Sequence, residues 1–289
     1  MTSFSQKIIE IHFTLVTGQF SGGNTKIVKK LRCDVTIDKP GLPAKNTARG
    51  MVYGMRQEDA EKLTTLAYRP LTIGRHLVEI FVGDDPNRLH LAYHGDITQA
   101  WGDYNKQPDV NFYFEAVTGF YSAIEPIAPF SAEGGQLVSK ICHSLSSTMG
   151  LSFTNYGVTS SVSNPYLKGT ATQQAQQLVN DQDFDMFLDD NNMFITNKGQ
   201  PIGDKNTAPL ISPKKGMVGY PEFSSNGLTV TSLYNPAIKM GNWIEVQSSI
   251  SKANGFFRTT SIKHKVSSET NDGPWFTIAE ISYIANPIF

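Results

Sequence analysis

Charge is what this sequence has least of. Only 18% of its 289 residues are Asp, Glu, Lys or Arg, where an ordinary soluble domain carries about 25%. The two signs nearly cancel, with 25 basic and 26 acidic side chains and a net charge of -1. The balance holds along the chain, 14 against 14 in residues 1–130 and 11 against 12 in the rest. A protein that grips nucleic acid by neutralising phosphates carries a basic excess. Nucleic acid as a principal ligand is therefore not expected, although a neutral wall that it slides past remains open. Long apolar runs are missing too: none exceeds three residues, and a membrane helix needs about 20, so no membrane insertion is expected. The opening MTSFSQKIIEIHF has neither the apolar stretch nor the small-residue cleavage site of a signal peptide, which points to synthesis in a cytoplasm. Cysteine is scarce. Cys33 and Cys142 stand far apart and read as buried, reduced thiols, not as a disulfide framework.

Uncharged polar residues fill the space left by charge. Ser, Thr, Asn and Gln number 79, Gly 24 and Pro 15, and aromatics reach 11%. Such a chain is rich in strands and turns and is unlike a helical bundle. Its length suits roughly two domains of about 150 residues, enough to bury a core without disulfides or metal.

The period of the apolar residues supplies the organisation. In residues 8–16, Ile9, Ile11, Phe13 and Leu15 face one way, and Leu31, Cys33, Val35 and Ile37 repeat the alternation in 31–38. Strict period two marks a strand with one dry face, so the two are expected to form a hairpin around the polar tip TGQFSGGNT. Residues 55–68 change to a spacing of three and four, which predicts a helix ended by Tyr68-Arg69-Pro70. Strands are expected again at 77–83, 89–94, 97–101 and 110–117, giving a small β-barrel or sandwich with a helix on it. Pro126 and Pro129 mark a boundary. Beyond it, Ser131 is a candidate N-cap for a helix through Leu137, Ile141, Leu145 and Met149, closed by Gly150. A polar stretch, TNYGVTSSVSNPYLKG, reads as structureless; a second short helix and a hairpin turning at Asp189 to Asn192 follow. From residue 217 onward all is strand and turn. The domain reading is 1–128, 129–205 and 206–289.

Candidate chemistry is thin. His90 and His94 have the outer spacing of a zinc-protease helix, but Leu91 replaces the general-base Glu and the segment reads as a strand. The cluster Asp181, Asp183, Asp185, Asp189 and Asp190 invites calcium, yet an EF-hand started at Asp181 would place Met186 and Asn192 where Gly and Glu are required. Solvated carboxylates on a strand edge and turn are the better account. Cys142 and His143 are neighbours on a helix and so point about 100° apart, which no dyad tolerates. Ser21-Gly22-Gly23-Asn24-Thr25-Lys26 lacks P-loop spacing. No catalytic residue, cofactor or metal is nominated.

The most distinctive stretch is Gly216-Met-Val-Gly-Tyr-Pro-Glu-Phe, then Asn226-Gly-Leu-Thr-Val-Thr-Ser-Leu-Tyr-Asn-Pro-Ala-Ile-Lys-Met-Gly241. Gly255-Phe-Phe-Arg-Thr-Thr-Ser-Ile-Lys-His264 and Pro274-Trp-Phe-Thr277 follow. This order resembles the carboxy-terminal part of the baseplate hub proteins of contractile-tailed bacteriophages. The motif residues are Gly219, Pro221, Gly227, Asn235, Pro236, Gly241, Trp243, His264 and Trp275. Their own chemistry is structural: Asn235-Pro236 ends a strand and fixes a turn, and the glycines permit tight corners. Trp243 and Trp275 are anchors for a core or a subunit seam, and His264 reads as a satisfied strand residue.

The resemblance implies a fold that is mainly β with a few short helices (α+β): a tube-like β-barrel, then a second β-rich domain, itself a barrel at the carboxy terminus, with an inserted helical segment. It implies a structural, non-enzymatic virion protein, assembled in the host cytoplasm into a homotrimeric ring in the tail baseplate. That ring would bind the spike protein, the tail tube and other baseplate proteins, and DNA would pass its lumen without specific binding. Two other functions fit the residues. One is a cell-wall carbohydrate-binding or degrading module, with Trp101, Tyr104 and Tyr113 stacking sugars. The other is a hexameric tail-tube or distal-tail adaptor.

Overall fold

The computed structural model describes residues 6–41, 44–65, 76–105 and 110–284. These form two compact units, the first from Met1–Asp38, Asn46–Thr118 and Lys263–Thr277, the second from Lys39–Lys45, Gly119–Ile262 and Ile278–Phe289.

The first unit begins with β1 (Ile8–Thr14), β2 (Thr25–Val28), β3 (Cys33–Lys39) and β4 (Thr47–Tyr53). Helix α1 (Gln57–Leu63) and strands β5 (Leu77–Gly83), β6 (His90–Asp103) and β7 (Asn111–Val117) follow. The predicted alternation is visible in burial: Ile9, Ile11 and Phe13 of β1 and Cys33, Val35 and Ile37 of β3 are all buried. Phe13 meets Phe112 and Phe114 edge-on at 5.8 and 5.2 Å, an arrangement that aromatic quadrupoles favour. On α1, Ala60 and Leu63 are buried, as is Asp59, whose carboxylate pairs with Lys26 at 2.6 Å.

In the second unit run α2 (Phe120–Ile124), β8 (Phe130–Ser131), β9 (Gly135–Leu137) and α3 (Val138–Thr148). Next are β10 (Ser152–Tyr156), β11 (Ser161–Ser163), β12 (Tyr166–Leu167) and α4 (Ala171–Asp181). The hairpin β13 (Phe184–Asp189) and β14 (Asn192–Asn197) turns where predicted, with Asp189 opposite Asn192. Then come β15 (Leu210–Ile211), β16 (Glu222–Ser224), β17 (Gly227–Leu233) and β18 (Trp243–Val246). The long strands β19 (Gly255–Ser268) and β20 (Trp275–Ser282) each serve both units in turn. Helix α4 starts on a capping box: Thr170 Oγ1 accepts from the Gln173 backbone N–H, and the Gln173 side chain accepts from the Thr170 N–H. One core of this unit lies between α3, α4 and the hairpin, around Ile141, Leu145, Leu178, Phe184 and Ile195. Another lies under the carboxy-terminal strands, around Ile211, Leu228, Ile244 and Phe257.

The barrel expectation is overturned. The fold is mainly β with a few short helices, but its sheets are open, neither closed into a barrel nor strongly curled. The first unit's strand order is β19–β3–β4–β7–β6–β5–β1–β2, and the second's is β16–β17–β20–β19 with β18 pairing β15 and β19. Closure requires the first and last strands to share a tilted, staggered ladder. Within the first unit the end strand β2 is only four residues long, and within the second the end strand β16 only three, too short to carry one.

Five local expectations also change. The strand at 8–16 does not form a hairpin with the one at 31–38: β1 pairs with β2 and β5, and β3 with β4. At the end of the polar tip begins β2, which aligns Val28 with Ile11 and Ile27 with His12. The segments 89–94 and 97–101 are one strand, β6, whose register slips between Ile97 and Gln99. Ser131 lies in β8, and α3 begins only after Leu137, because the intervening residues pair with the stretch read as structureless. That stretch holds β11 and β12 and most of β10. Helix α1 lies where a helix was expected but is shorter, ending at Leu63 with Thr64 already extended, so the expected stop at Tyr68-Arg69-Pro70, which lies outside the described residues, is not what ends it.

Candidate assembly surface

The motif residues cluster on the carboxy-terminal strands and their turns. Gly216, at φ +88°, ends a 3-10 turn over Pro213–Lys215. The chain then runs antiparallel beside β17: Leu233 N–H donates to Gly216 at 2.8 Å, Val218 N–H to Thr231 at 2.8 Å, and Phe223 lies opposite Leu228. Gly219 takes φ +71° with open space around it, which turns Pro221 inward, buried, and leaves Tyr220 outward. Gly227 is fixed by a close approach: a Cβ there would collide with the carbonyl of Ile281.

After β17 the Asn235-Pro236 pair makes the turn foreseen. The Asn235 side-chain oxygen accepts from the Ala237 N–H at 3.0 Å and its backbone carbonyl from Ile238 at 3.2 Å. This returns Ile238 and Met240 to the core. Gly241, at φ +75°, leaves room for Ile202 and Phe187, which a Cβ would meet at 2.8 and 3.2 Å. Trp243 is half-buried, edge-on to Phe256 at 6.2 Å, with the Lys205 ammonium 5.6 Å from its ring centre. Trp275 is buried beside Lys7, whose ammonium lies 5.9 Å from the ring centre. His264 is buried, its Nδ1 3.0 Å from the Thr277 hydroxyl.

Two ion-pair nodes that sequence reasoning missed hold the hairpin β13–β14. The Lys39 ammonium, buried, donates to Asp189 and, at 2.8 Å, to Asp190. Burial disfavours its charge, but the two carboxylates outweigh that and hold its pKa above the usual lysine value. Burial, with Asp189 adding to it, raises Asp190 against the opposing pull of Lys39. At the second node Asp185 accepts from Arg258 Nη1 at 2.7 Å and from the Gly199 N–H at 2.8 Å, with Lys198 at 3.5 Å. Three of the five clustered aspartates are thus ion-paired, not solvated; Asp181 and Asp183 remain exposed. A signal for Lys39 was present, since it continues the buried parity of Cys33, Val35 and Ile37. Arg258 breaks the parity of β19, where Phe257, Arg258 and Thr259 are all buried, and alternation gave no warning.

The other candidates are dispersed. His90 is exposed on β6, and His94 Nδ1 lies 3.4 Å from Glu79. Among the described residues no three His, Cys, Asp or Glu side chains are grouped to hold a metal. Cys142 is buried in the core while His143 faces outward, edge-on to Phe153 at 5.7 Å. Burial pushes both thiols, Cys33 and Cys142, up to about 12. Trp101 and Tyr113 stack on each other at 5.4 Å with Trp101 still 41% exposed, and Tyr104 folds back over Gly102.

The family model described as "Baseplate hub gp41" matches residues 8–281. The chain belongs to this family. As a baseplate hub protein it is a structural component of a contractile phage tail and not an enzyme. Its fold is shared at low identity. The hub chain matches the prophage MuSo2 43 kDa tail protein from Shewanella oneidensis with TM-score 0.64, 9% identity and 96% of each chain covered. It matches the tail protein from Neisseria meningitidis MC58 with TM-score 0.63, 8% identity, and 96% and 97% of the two chains covered. The E. coli c3393 protein, a type VI secretion component similar to T4 tail proteins gp27 and gp5, matches at TM-score 0.55 and 10% or less identity, namely 9%, over 90% of this chain and 77% of that one. A sequence comparison with curated proteins returns no match.

Proposed function

We propose that this hub protein forms a homotrimeric ring that joins the tail tube to the spike, its motif strands contributing to the seams between subunits. The observation that carries the reading is the family match over residues 8–281. It is supported by the likeness in fold to phage tail proteins and to a secretion component itself similar to gp27 and gp5. The low, balanced charge suits such a part. Few charges need to be desolvated when neighbours close on it, and a lumen without a basic excess lets DNA pass without adhering. The three sequence segments 1–128, 129–205 and 206–289 would then be a tube-facing part, a central part and a carboxy-terminal part.

Electron microscopy of the purified chain, with light scattering for mass, tests this. Three-fold rings that co-sediment with spike or tube protein are expected. Six-fold rings would assign the chain to a tube adaptor instead, and a monomer that binds neither partner would overturn the proposal.

A further inference from the structure

The free edges of the two units are unlike one another, and their difference specifies a partner. In the second unit one free edge of the large sheet is the segment from Met217 through β16. Among the described residues it pairs only with β17, by the Met217–Ser232 bridge and the β16 ladder. Its apolar side chains are left in solvent: Tyr220 is 70% exposed, Phe223 55% and Val218 38%. Phe223 stands opposite the fully buried Leu228, so it continues a core row beyond the last covered strand. The charge on β16 is acidic, the exposed Glu222.

In the first unit the terminal edge is β2, which pairs only with β1 among the described residues. Ile27 there is 46% exposed, and the exposed Lys29 and Lys30 follow the strand. Among the described residues no ion pair engages Glu222, Lys29 or Lys30. Exposed edges with apolar side chains recruit other strands unless something blunts them. Pairing like with like would bring two Glu222 carboxylates, or two Lys29-Lys30 pairs, close together at one seam, and like charges there repel. Of the three pairings these two edges allow, β16 against β2 alone matches both the apolar side chains and the charge.

We propose that β16 of one copy adds as a strand to β2 of the next copy, joining subunits head to tail. Such a contact is heterologous, and it yields a closed ring or an open filament according to the rotation it imposes. That it closes as a ring rests on the hub reading above.

The full-length chain tests this with two single variants, Ile27→Cys and Ser224→Cys, carrying different tags. Oxidising the mixture should yield the mixed cross-linked dimer, and neither variant alone should cross-link. Glu222→Lys should weaken self-association about tenfold, and adding Lys29→Glu and Lys30→Glu to the same chain should restore it. Cross-linking of like with like, or a charge reversal without effect, would overturn the pairing. Rings that assemble without the mixed cross-link would overturn this inference alone and leave the hub reading standing. A chain that stays monomeric and uncross-linked would sink both.

Discussion

The ammonium of Lys39 donates to the carboxylate of Asp190 across 2.8 Å, between residues 151 positions apart in the chain. The same ammonium also engages Asp189, so one cation serves two carboxylates at the tip of a hairpin.

Removing that cation should be costly. Lys39→Met leaves two carboxylates facing each other with little water, an unpaired buried charge worth about 3–5 kcal/mol. The pH dependence distinguishes this from simple loss of packing. Because the folded pKa of Lys39 is raised, its contribution is complete below the unfolded lysine value and is lost only as pH climbs through the folded value. The pKa of Asp190 is also raised, so its protonated form is favoured by folding at low pH and that advantage fades as pH rises. Without the Lys39 pull that opposes protonation of Asp190, the variant gains more from that effect, so thermal unfolding of Lys39→Met should show a smaller deficit near about pH 5 than at about pH 8. An equal deficit at both would contradict the charge account.

The second node predicts a graded pair of variants. Asp185→Ala strands the Arg258 guanidinium, only 6% exposed, and should cost about 3–5 kcal/mol. Asp185→Asn keeps an acceptor for the Gly199 N–H, now 2.8 Å away, and should cost less. Urea denaturation curves measure both.

Two motif glycines should behave oppositely. Gly227→Ala drives a methyl into the Ile281 backbone, which no rotamer change relieves, so the carboxy-terminal strands should fail to pack and soluble yield should fall. Gly219→Ala, with φ +71° and nothing nearby, should fold with a loss of about 1–2 kcal/mol from the left-handed backbone alone. Comparable behaviour of the two in circular dichroism melts would remove the close-approach argument.

The thiols should be silent. With Cys33 and Cys142 buried and pushed up to about 12, neither offers thiolate at neutral pH. Ellman's reagent should titrate no thiol in the native chain and two in denaturant. Fast reaction of either in the native state would show that its strand or helix opens readily.

Much of this architecture was legible because it is local. The alternation in β1 and β3 and the turn at Asp189 to Asn192 follow from neighbouring residues and stand where expected, and α3 keeps its buried spacing from Ile141 to Leu145 although it starts only after Leu137. The short helix α4 declares itself through Ala171, Ala175 and Leu178–Val179, of which the first three are buried and Val179 half-buried. Pairing was less legible. Residues 8–16 and 31–38 have matched dry faces, but any strand with the same period offers as good a match, and β5 takes the place that β3 was expected to fill. Strand β2 went unseen because its four residues are too few to display a period.

For this protein the sequence alone determined composition-level facts: few and balanced charges, no long apolar run, two solitary thiols, and the motif order that pointed to a baseplate hub. Its glycines and Asn235-Pro236 specified turns because backbone conformation is a property of the residue and its immediate neighbours. The tertiary structure decided what depends on distant partners. It left the sheets open where a barrel was expected, and it turned three aspartates from a solvated edge into partners of Lys39, Lys198 and Arg258. A charge carries no record of its counter-ion, and a strand none of its neighbour. Both are chosen only when the chain has closed on itself.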